Sequence, residues 1–512
     1  MIFFRLAGGM AFLLLAHTPA LAGWREAKTK HFIIYSEQSP KSIRAFATEL
    51  EQFDRGVRLL RVMDDPPLSD SGRLTIYVLP SRGDIARIAK GAPSGVAGFY
   101  TSRASGSLAF VHSEREDPKT PDALTAKTVF FHEYTHHLTL QSMNLTLPLW
   151  VTEGSAEFFA TARTEKDGSM TFGAPPQHRA FGLFQLAALT IEEMVGATNP
   201  RMGWEEREQT YARGWHLFHM LQFDKSRRGQ LSLYSANIQK GMPALDAARA
   251  AFGDLKKLDR DLLAYRKFAG VSIPKAAFSE SEVAIRELPA AEDAILPIAM
   301  QSEYGVDATL APRVLEAARK VAARFPNDAT VLAALAEAEQ DAGNNKEAVA
   351  TADRVLAGAP THAKALIMKA RALLAMARTD RAKADWTGLR AVIGKANKID
   401  PDDPEPLMLF YQSYLAQGTA ATRNAVDGLL YAQQLVPRDR NLRMMAVRQM
   451  IAANKLAEAE LLFGPMAYDP HISGETRDAM LKVMAALKAR SGKEAVSLLD
   501  AEAKKAQSKS RS

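Results

Sequence analysis

The chain has 512 residues, too many for one ordinary domain, and this length suggests about three structural units. Apolar residues make up 47% of the chain and charged residues 24%, as in soluble globular proteins, and 31 glycines with 25 prolines exclude a collagen-like chain. The chain has no cysteine, so disulfides, a cysteine nucleophile and cysteine-ligated metal sites are excluded. Any metal must be held by His, Asp or Glu. The net charge of +7 is dispersed along the chain and does not indicate nucleic-acid binding.

The first 22 residues have the pattern of a secretory signal peptide. Arg5 precedes an apolar run over residues 6–16, and Ala20-Leu21-Ala22 forms a small-x-small cleavage site. The apolar run is too short for a stable membrane anchor, and no later segment is apolar for long enough to predict a transmembrane helix. A buried N-terminal helix is the alternative. We expect cleavage after Ala22 and a periplasmic or secreted mature protein.

Residues 23–270 mix strand and helix patterns and are predicted to form one α+β unit. Alternating apolar residues predict strands over residues 31–35, 73–79 and 107–112, the last in a hairpin with residues 98–100. Apolar residues at helical spacing, together with capping signals, predict helices over residues 41–63, 120–140, 148–162, 176–197, 204–223 and 241–268.

The C-terminal half is predicted to be helical. Three prolines interrupt the pattern over residues 271–302, which are therefore predicted to form a linker or domain junction. Residues 303–490 are rich in Ala and Leu, and a helix end followed by proline recurs at similar intervals, at Pro326, Pro360, Pro401, Pro437 and Pro470. A period of about 34 residues, built from helix pairs, resembles tetratricopeptide repeats; an irregular helical bundle is the alternative. Residues 491–512 are predicted to end a helix and continue as a disordered basic tail.

The chemistry is predicted at the segment Phe131-His132-Glu133-Tyr134-Thr135-His136, which contains His-Glu-x-x-His. Residues four apart lie on one face of a helix, so His132 and His136 can bind one zinc ion. Glu133 is rotated by about 100° toward a water molecule whose pKa the zinc lowers to about 7, and it can accept the proton of that water. The pattern also arises by chance in functionless helices, so a second signal is needed.

The segment Leu147–Ala160 offers the third metal ligand. A catalytic zinc has three protein ligands, and a carboxylate often supplies the third. Glu153 follows His136 after a short loop, on a predicted helix that can pack back against the first. Glu157 lies one turn later on the same helix face, so it could be the ligand instead, or could hold a ligand histidine by a hydrogen bond.

The two segments together resemble the gluzincin metallopeptidases. In that family a His-Glu-x-x-His helix is followed by a helix reading Trp-x-x-Glu-Gly-x-Ala, and the corresponding residues here are Trp150-Val-Thr-Glu153-Gly154-Ser-Ala156. The resemblance is specific over residues 128–162 and loose over residues 23–270. It is closest to bacterial exported proteins that join such a peptidase domain to tetratricopeptide repeats.

The resemblance implies an α+β zincin-like peptidase domain with one Zn²⁺. It implies His132, His136 and Glu153 as ligands and Glu133 as general base. It also implies that the strand over residues 107–112 is the sheet edge along which an extended peptide binds. The stretch between His136 and Glu153 is slightly shorter than is common in the aminopeptidase branch, and no Gly-x-Met-Glu-Asn-type element is present. Endopeptidase and exopeptidase activity therefore both stay open.

Two further side chains receive weaker predictions. Related enzymes often use a Tyr or His from a later helix to donate to the tetrahedral oxyanion, and Tyr211 is the first candidate; packing of an aromatic helix face on the core is the alternative. His137 follows the motif but points to another face, which favours a structural role.

The sequence thus predicts an exported zinc metallopeptidase that acts on a peptide or protein substrate. The helical repeats are expected to bind the substrate or a separate protein partner. The alternative is a non-catalytic periplasmic scaffold in which the repeats act and the peptidase-like domain is a relic. Retention of Glu133 favours the enzyme, because a relic often loses its general base.

Overall fold

The computed structural model describes residues 23–88, 98–114, 124–141, 147–196, 202–278, 282–469, 472 and 474–509. The predicted signal peptide, residues 1–22, lies outside this part of the chain. The predicted start of the metal helix near residue 120 also falls outside the described residues. We call residues 23–287 the sheet region and residues 290–509 the helical region.

The strands of the described residues form two sheets. They are β1 Arg25–Lys28, β2 Phe32–Ser36, β3 Leu74–Leu79, β4 Gly98–Thr101, β5 Leu108–His112, β6 Arg163–Thr164, β7 Met170–Phe172, β8 Val271–Ile273 and β9 Ala284–Glu287. The larger sheet has six strands in the order β4-β5-β3-β2-β1-β9, and the smaller has the order β6-β7-β8. In the larger sheet β3 is parallel to both β2 and β5, whereas the other pairs are antiparallel.

The helices of the sheet region lie between these strands along the chain. They are α1 Pro40–Arg61, α2 Arg82–Ile88, α3 Ala126–Gln141, α4 Leu149–Ala160, α5 Ala180–Phe184, α6 Ile191–Gly196, α7 Trp204–Phe223, α8 Gln230–Gln239, α9 Ala244–Phe252 and α10 Leu255–Ala264. The sequence prediction for α7 is confirmed at both ends. The predicted helix over residues 176–197 is instead a short 3₁₀ turn, α5 and α6, and the predicted helix over residues 241–268 is divided into α9 and α10 at Gly253.

Both faces of the larger sheet are covered, which explains why its central strands are almost wholly apolar. Along β3, Leu74, Ile76 and Val78 face a core shared with α1 and α3. The alternate residues Tyr77 and Leu79 face a second core on the other side of the sheet. That second core also includes Leu296 and Met300, which lie on the first helix after β9.

Residues 271–302, predicted to form a linker or domain junction, are not an irregular linker in this structure, although they lie where the sheet region meets the helical region. They contain β8, which pairs with β7, and β9, which pairs with β1 and so forms the last strand of the larger sheet. They also contain most of α11 Ala290–Tyr304, the helix that covers the second sheet face. The prolines suggested a soft segment, but they stand before the 3₁₀ turn, at the cap of α11 and within α11. Sheet pairing and burial outweigh that local signal.

The predicted position of the edge strand is also wrong. The hairpin between β4 and β5 is present as predicted, but β5 lies between β4 and β3. All five residues of β5 are buried. The outer strand of the described sheet at this end is therefore β4, because residues 98–101 pair with the edge of β5 that does not pair with β3.

The helical region continues from α11 as a series of consecutive helices. They are α12 Ala311–Arg324, α13 Ala329–Asp341, α14 Asn345–Gly358, α15 Ala363–Thr379, α16 Trp386–Ile399, α17 Pro404–Gln417, α18 Arg423–Leu435, α19 Arg440–Ala452, α20 Leu456–Ala467, α21 Gly474–Lys488 and α22 Gly492–Lys509. Each helix packs on the next, and the alternate helices α11, α13, α15 and α17 also contact one another in sequence. This is the packing of stacked helix pairs, so the prediction of a helical repeat region is confirmed.

The predicted disordered tail differs from the structure, because α22 extends to Lys509. Ala, Glu and Lys are strong helix formers, and Ala495 and Leu499 anchor the start of α22 in a core shared with α20 and α21. Among the described residues, no helix has both the length and the apolar character required to cross a bilayer.

Helices α4 and α7 cross in close contact at two glycines. A Cβ atom added to Gly154 would collide with the main-chain carbonyl of Gly214 and would lie 3.0 Å from the main-chain nitrogen of Trp215. Main-chain atoms of a packed helix cannot move aside as a flexible side chain can. The glycine of the Trp-x-x-Glu-Gly segment is therefore a packing requirement, and it sets how closely α4 approaches α7.

We predict that Gly154→Ala lowers the free energy of unfolding by about 1–3 kcal/mol, the usual cost of overpacking a rigid core. The matched control is Gly394→Ala, in the middle of α16, where an added Cβ meets nothing within 4 Å. That change should be neutral or stabilising by up to about 1 kcal/mol, because Ala is the better helix former. Thermal unfolding followed by circular dichroism measures both, and equal melting temperatures for the two variants would contradict the prediction.

Candidate metal centre

The sequence of α3 orients the two motif histidines. Phe131, Tyr134 and Leu138 recur at helical spacing and are buried in the core beneath the sheet. The Phe131 ring stacks on Phe53 of α1 with 3.9 Å between ring centroids, and the Tyr134 hydroxyl donates to Asp54 of α1 at 2.8 Å. With this face fixed against α1, His132 and His136 occupy the side of α3 that packs on α4.

Helix α4 is fixed by Trp150, which is fully buried. Its ring packs against Tyr234 and Phe252, and its indole Nε1 donates to the Tyr234 hydroxyl at 3.4 Å. Glu153 lies one turn further along α4 and is also fully buried, with its side chain directed at the two histidines. The packing of Trp150 therefore determines how deeply the Glu153 carboxylate is buried.

Three side-chain atoms converge between α3 and α4. The distance from His132 Nε2 to Glu153 Oε2 is 3.2 Å, that from His136 Nε2 to Glu153 Oε2 is 3.4 Å, and the two Nε2 atoms are 3.2 Å apart. The three predicted ligands are thus brought together as one nearly equilateral triangle, the arrangement that a shared metal ion requires.

The size of the triangle matches a zinc ion. A tetrahedral zinc with bonds of about 2.0–2.1 Å separates its ligand atoms by about 3.3 Å. The donor set of two imidazoles and one carboxylate is also a common set at catalytic zinc sites with a free fourth position. The residues present therefore fit the metal that the sequence predicts, and His132, His136 and Glu153 would hold it.

The ionisation of the cluster is dominated by its carboxylates. Burial disfavours a charged His132, but hydrogen bonds and charges from Glu153 and Glu157 outweigh burial and raise the pKa of His132 to about 10. Burial likewise opposes ionisation of Glu153, but the charge of His136 and the hydrogen bonds of both histidines hold its pKa well below the usual range. The two carboxylates therefore favour positive charge at the centre of this cluster.

Glu157 lies behind the cluster rather than within it. Its Oε1 is 3.4 Å from His132 Nδ1, the ring nitrogen that faces away from the triangle. Arg179 donates to the same carboxylate at 2.8 and 3.0 Å, and His178 Nε2 lies 2.7 Å from its second oxygen. Of the two roles left open by the sequence, the geometry favours the second, because Glu157 contacts the outer ring nitrogen of His132, a predicted ligand.

Tyr211 of α7 lies beside the triangle. Its ring is parallel to the His132 imidazole, with 6.1 Å between centroids, and the guanidinium of Arg179 lies 4.7 Å from the centre of the ring. Burial, followed by the charge of Glu153 and a hydrogen bond to that carboxylate, raises the pKa of Tyr211. The phenol therefore keeps its proton at neutral pH and is available as a hydrogen-bond donor.

Glu133 and His137 extend from α3 in different directions. Glu133 is 29% exposed and is the accessible acidic side chain of the motif. Its Oε2 lies 3.7 Å from Nη1 of Arg438, which belongs to the helical region. His137 is buried, and its Nδ1 is 2.6 Å from the Tyr100 hydroxyl of β4. Burial, aided by the charge of Arg438, lowers the pKa of His137 to about 3, so this histidine is a neutral structural residue.

A second group of possible ligands, His31, Asp54 and Asp65, has a different character. Lys30 Nζ lies 2.6 Å from Asp65, and Arg58 Nε lies 2.7 Å from Asp54. Two protein cations therefore already neutralise this cluster, which ties α1 to the start of β2 and leaves no reason for a metal ion.

Sequence reasoning missed three residues at the site, namely His178, Arg179 and Arg438. His178 and Arg179 lie in a 3₁₀ turn after two prolines, where the sequence predicted the start of a longer helix, so the predicted helical spacing did not indicate which side chains turn toward the site. Arg438 follows one of the recurrent prolines, far along the chain from the motif, and only the folded chain brings the two together. A basic residue after a helix-ending proline is ordinary in a loop, so the sequence carried no usable signal.

Comparison with known proteins adds little to this geometry. Neither a protein-family model nor a curated protein matches the chain. Among solved structures, a thermophilic TPR protein from Thermus thermophilus matches at 16% sequence identity, over 38% of this chain and 97% of its own, with a TM-score of 0.32. A TM-score of this size does not assign a fold, and the helical repeat is defined by the packing of this chain's own helices.

We predict that Glu157→Gln weakens zinc binding by about 10–100-fold, the usual effect of removing the partner of a ligand histidine. The matched control is Glu208→Gln, because Glu208 pairs with the same Arg179 at 2.7 Å and is not one of the grouped ligands. Competition titration with a chromophoric chelator measures both affinities. If the two variants lose the same affinity, the effect arises from Arg179 and the assigned role of Glu157 is wrong.

Proposed function

We propose that the protein is a zinc metallopeptidase of the gluzincin type. The observation that carries the proposal is the convergence of His132, His136 and Glu153 at distances of 3.2–3.4 Å, with the partly exposed Glu133 next to His132 in the chain. Glu157 supports it further, because a carboxylate behind a ligand histidine is typical of working metal sites.

The protein groups divide the work of peptide hydrolysis. When bound, zinc supplies Lewis acidity for activating a water molecule and polarising the scissile carbonyl. Glu133 is proposed to accept the proton of the attacking water and to return it to the leaving amine, because it follows His132 in the chain and is partly exposed. Tyr211, a neutral phenol beside the cluster, is proposed to donate to the developing oxyanion.

The helical region is proposed to bind the substrate or a protein partner, because stacked helix pairs provide an extended surface for such contacts. Export to the periplasm or outside the cell is proposed from residues 1–22 alone. The alternative function is a non-catalytic scaffold in which the helical region acts, and the general base distinguishes the two.

We predict that Glu133→Gln lowers peptide hydrolysis by about 10²–10⁴-fold, the usual contribution of a general base, while one zinc per chain is retained. The control is Glu316→Gln, which removes a carboxylate from an exposed ion pair with Lys320 and should leave hydrolysis unchanged. A quenched fluorescent peptide library measures the rates, and elemental analysis measures the zinc. If the zinc-loaded wild type cleaves no peptide, the scaffold alternative replaces the enzyme. If Glu133→Gln loses its zinc, Glu133 is not the base.

We predict that Tyr211→Phe lowers kcat by about 10²–10³-fold, the effect of losing one oxyanion donor. Phe preserves the ring that contacts His132 and Arg179 and leaves the three predicted ligands in place, so zinc binding should change little. Tyr431→Phe, which removes an exposed hydroxyl bonded to Asp402 at 2.5 Å, is the matched control and should have wild-type kcat. An unchanged kcat in Tyr211→Phe would leave Tyr211 with only its packing role.

A further inference from the structure

The loop between α18 and α19 brings a guanidinium from the helical region to the proposed general base. Arg438 Nη1 lies 3.7 Å from Glu133 Oε2. The guanidinium carbon lies 5.2 Å from the centre of the Tyr100 ring on β4, the outer strand of the described sheet at this end. Arg438 therefore contacts both α3, through Glu133, and β4, through Tyr100.

Hydrogen bonds on both sides of Arg438 hold this loop in place. The side chain of Arg443 donates from Nε and Nη2 to the Pro437 carbonyl at 3.0 and 2.5 Å. Asp439 caps α19 with one carboxylate oxygen, and its other oxygen accepts from the main-chain nitrogen of Ala104 at 2.8 Å. Ala104, in the turn between β4 and β5, is itself buried in a core of the helical region. The position of Arg438 is thus built into the fold.

The guanidinium of Arg438 has unused binding capacity. Its Nη1 atom is buried, and the described residues provide no hydrogen-bond acceptor for it. Glu133 is its ion-pair partner in this part of the chain, but 3.7 Å is too long for a hydrogen bond. Buried charged donors are normally satisfied, so one without an acceptor calls for an explanation, and a binding role is one explanation. A carboxylate that approached both guanidinium nitrogens would make a stronger, bidentate pair.

The position of β4 identifies the source of such a carboxylate. An extended peptide that adds to an outer strand is held by main-chain hydrogen bonds, and pockets beside the strand select its side chains or terminus. A peptide that binds along β4 and reaches the metal cluster would pass Arg438. We propose that Arg438 binds a carboxylate of the peptide substrate, either an acidic side chain near the scissile bond or the free C-terminus. This inference rests on the proposed peptidase function.

The test compares matched peptides that differ in one charge. One pair carries Glu or Gln at a single position near the cleavage site, and the other ends in a free acid or an amide. We expect wild type to show kcat/KM about tenfold or more higher for one acid than for its neutral partner, and Arg438→Gln to bring that ratio near one. Arg438→Lys, which keeps the charge but loses the fork, should give an intermediate ratio. The pair that responds identifies the source of the carboxylate.

The matched control is Arg440→Gln, next but one along the chain, which removes an exposed pairing with Asp469. It should retain the wild-type acid-to-neutral ratio. A ratio near one in wild type for both peptide pairs, or an unchanged ratio in Arg438→Gln, overturns the proposal. Circular dichroism and melting temperatures establish that each variant is folded, and Arg438→Lys provides the comparison if Arg438→Gln does not fold.

A binding measurement separates failure of this inference from failure of the proposed function. Glu133→Gln protein is titrated calorimetrically with the same peptide pairs, with and without zinc, and compared with the double variant Glu133→Gln/Arg438→Gln. Tighter binding of the acid peptide that disappears in the double variant supports Arg438 even if wild type proves inactive. Equal binding of acid and neutral peptides by Glu133→Gln overturns the role of Arg438 even if wild type hydrolyses peptides.

Discussion

The site depends on keeping Glu153 ionised where the side chain has no exposure to solvent. A buried carboxylate costs several kcal/mol in lost hydration unless cations or hydrogen-bond donors replace the water. Here the imidazoles of His132 and His136 fill that role, and the phenol of Tyr211 adds a donor. Each partner comes from a helix that is anchored elsewhere, α3 by aromatic packing on α1 and α7 by its contact with α4. An ionised Glu153 on α4 therefore requires α3 and α7 to pack beside it, because its partners lie on those two helices.

The same reasoning explains why small and aromatic residues surround the cluster. Gly154 follows the buried carboxylate and permits α4 to approach α7 at Gly214, while Trp150 fills the core one turn earlier. Without the glycine contact, α7 would stand further from α4, and the Tyr211 hydroxyl would move away from Glu153. The Trp-x-x-Glu-Gly segment therefore combines an aromatic anchor, a predicted metal ligand and a close helix crossing in little more than one helical turn.

Sequence reasoning could identify what is local and periodic. The spacing of His132 and His136 on one helix face, and Glu153 on the next helix, follows from helix geometry, and the structure places them together. The limits of α7 and the existence of a helical repeat were likewise readable from periodicity. The pairing of strands that are far apart in the sequence could not be predicted from periodicity. Residues 284–287 pair with β1, at the other end of the sheet region, and their short polar pattern gives no sign of it. The contacts of Glu157 with its partners and of Arg438 with Glu133 could not be predicted either, because each depends on how elements far apart in the sequence pack.

The two regions of the chain form one physical unit, and this decides how the site can be studied. Helix α11 covers one face of the larger sheet, where Leu296 and Met300 pack with Tyr77 and Phe110. Removing the helical region would expose that apolar face, and it would also remove Arg438 from Glu133. A truncated sheet region would therefore confound loss of folding with loss of substrate recognition. Single substitutions in the intact chain separate these effects, because the anchoring contacts of the Arg438 loop run through Arg443 and Asp439 and do not require the Arg438 side chain.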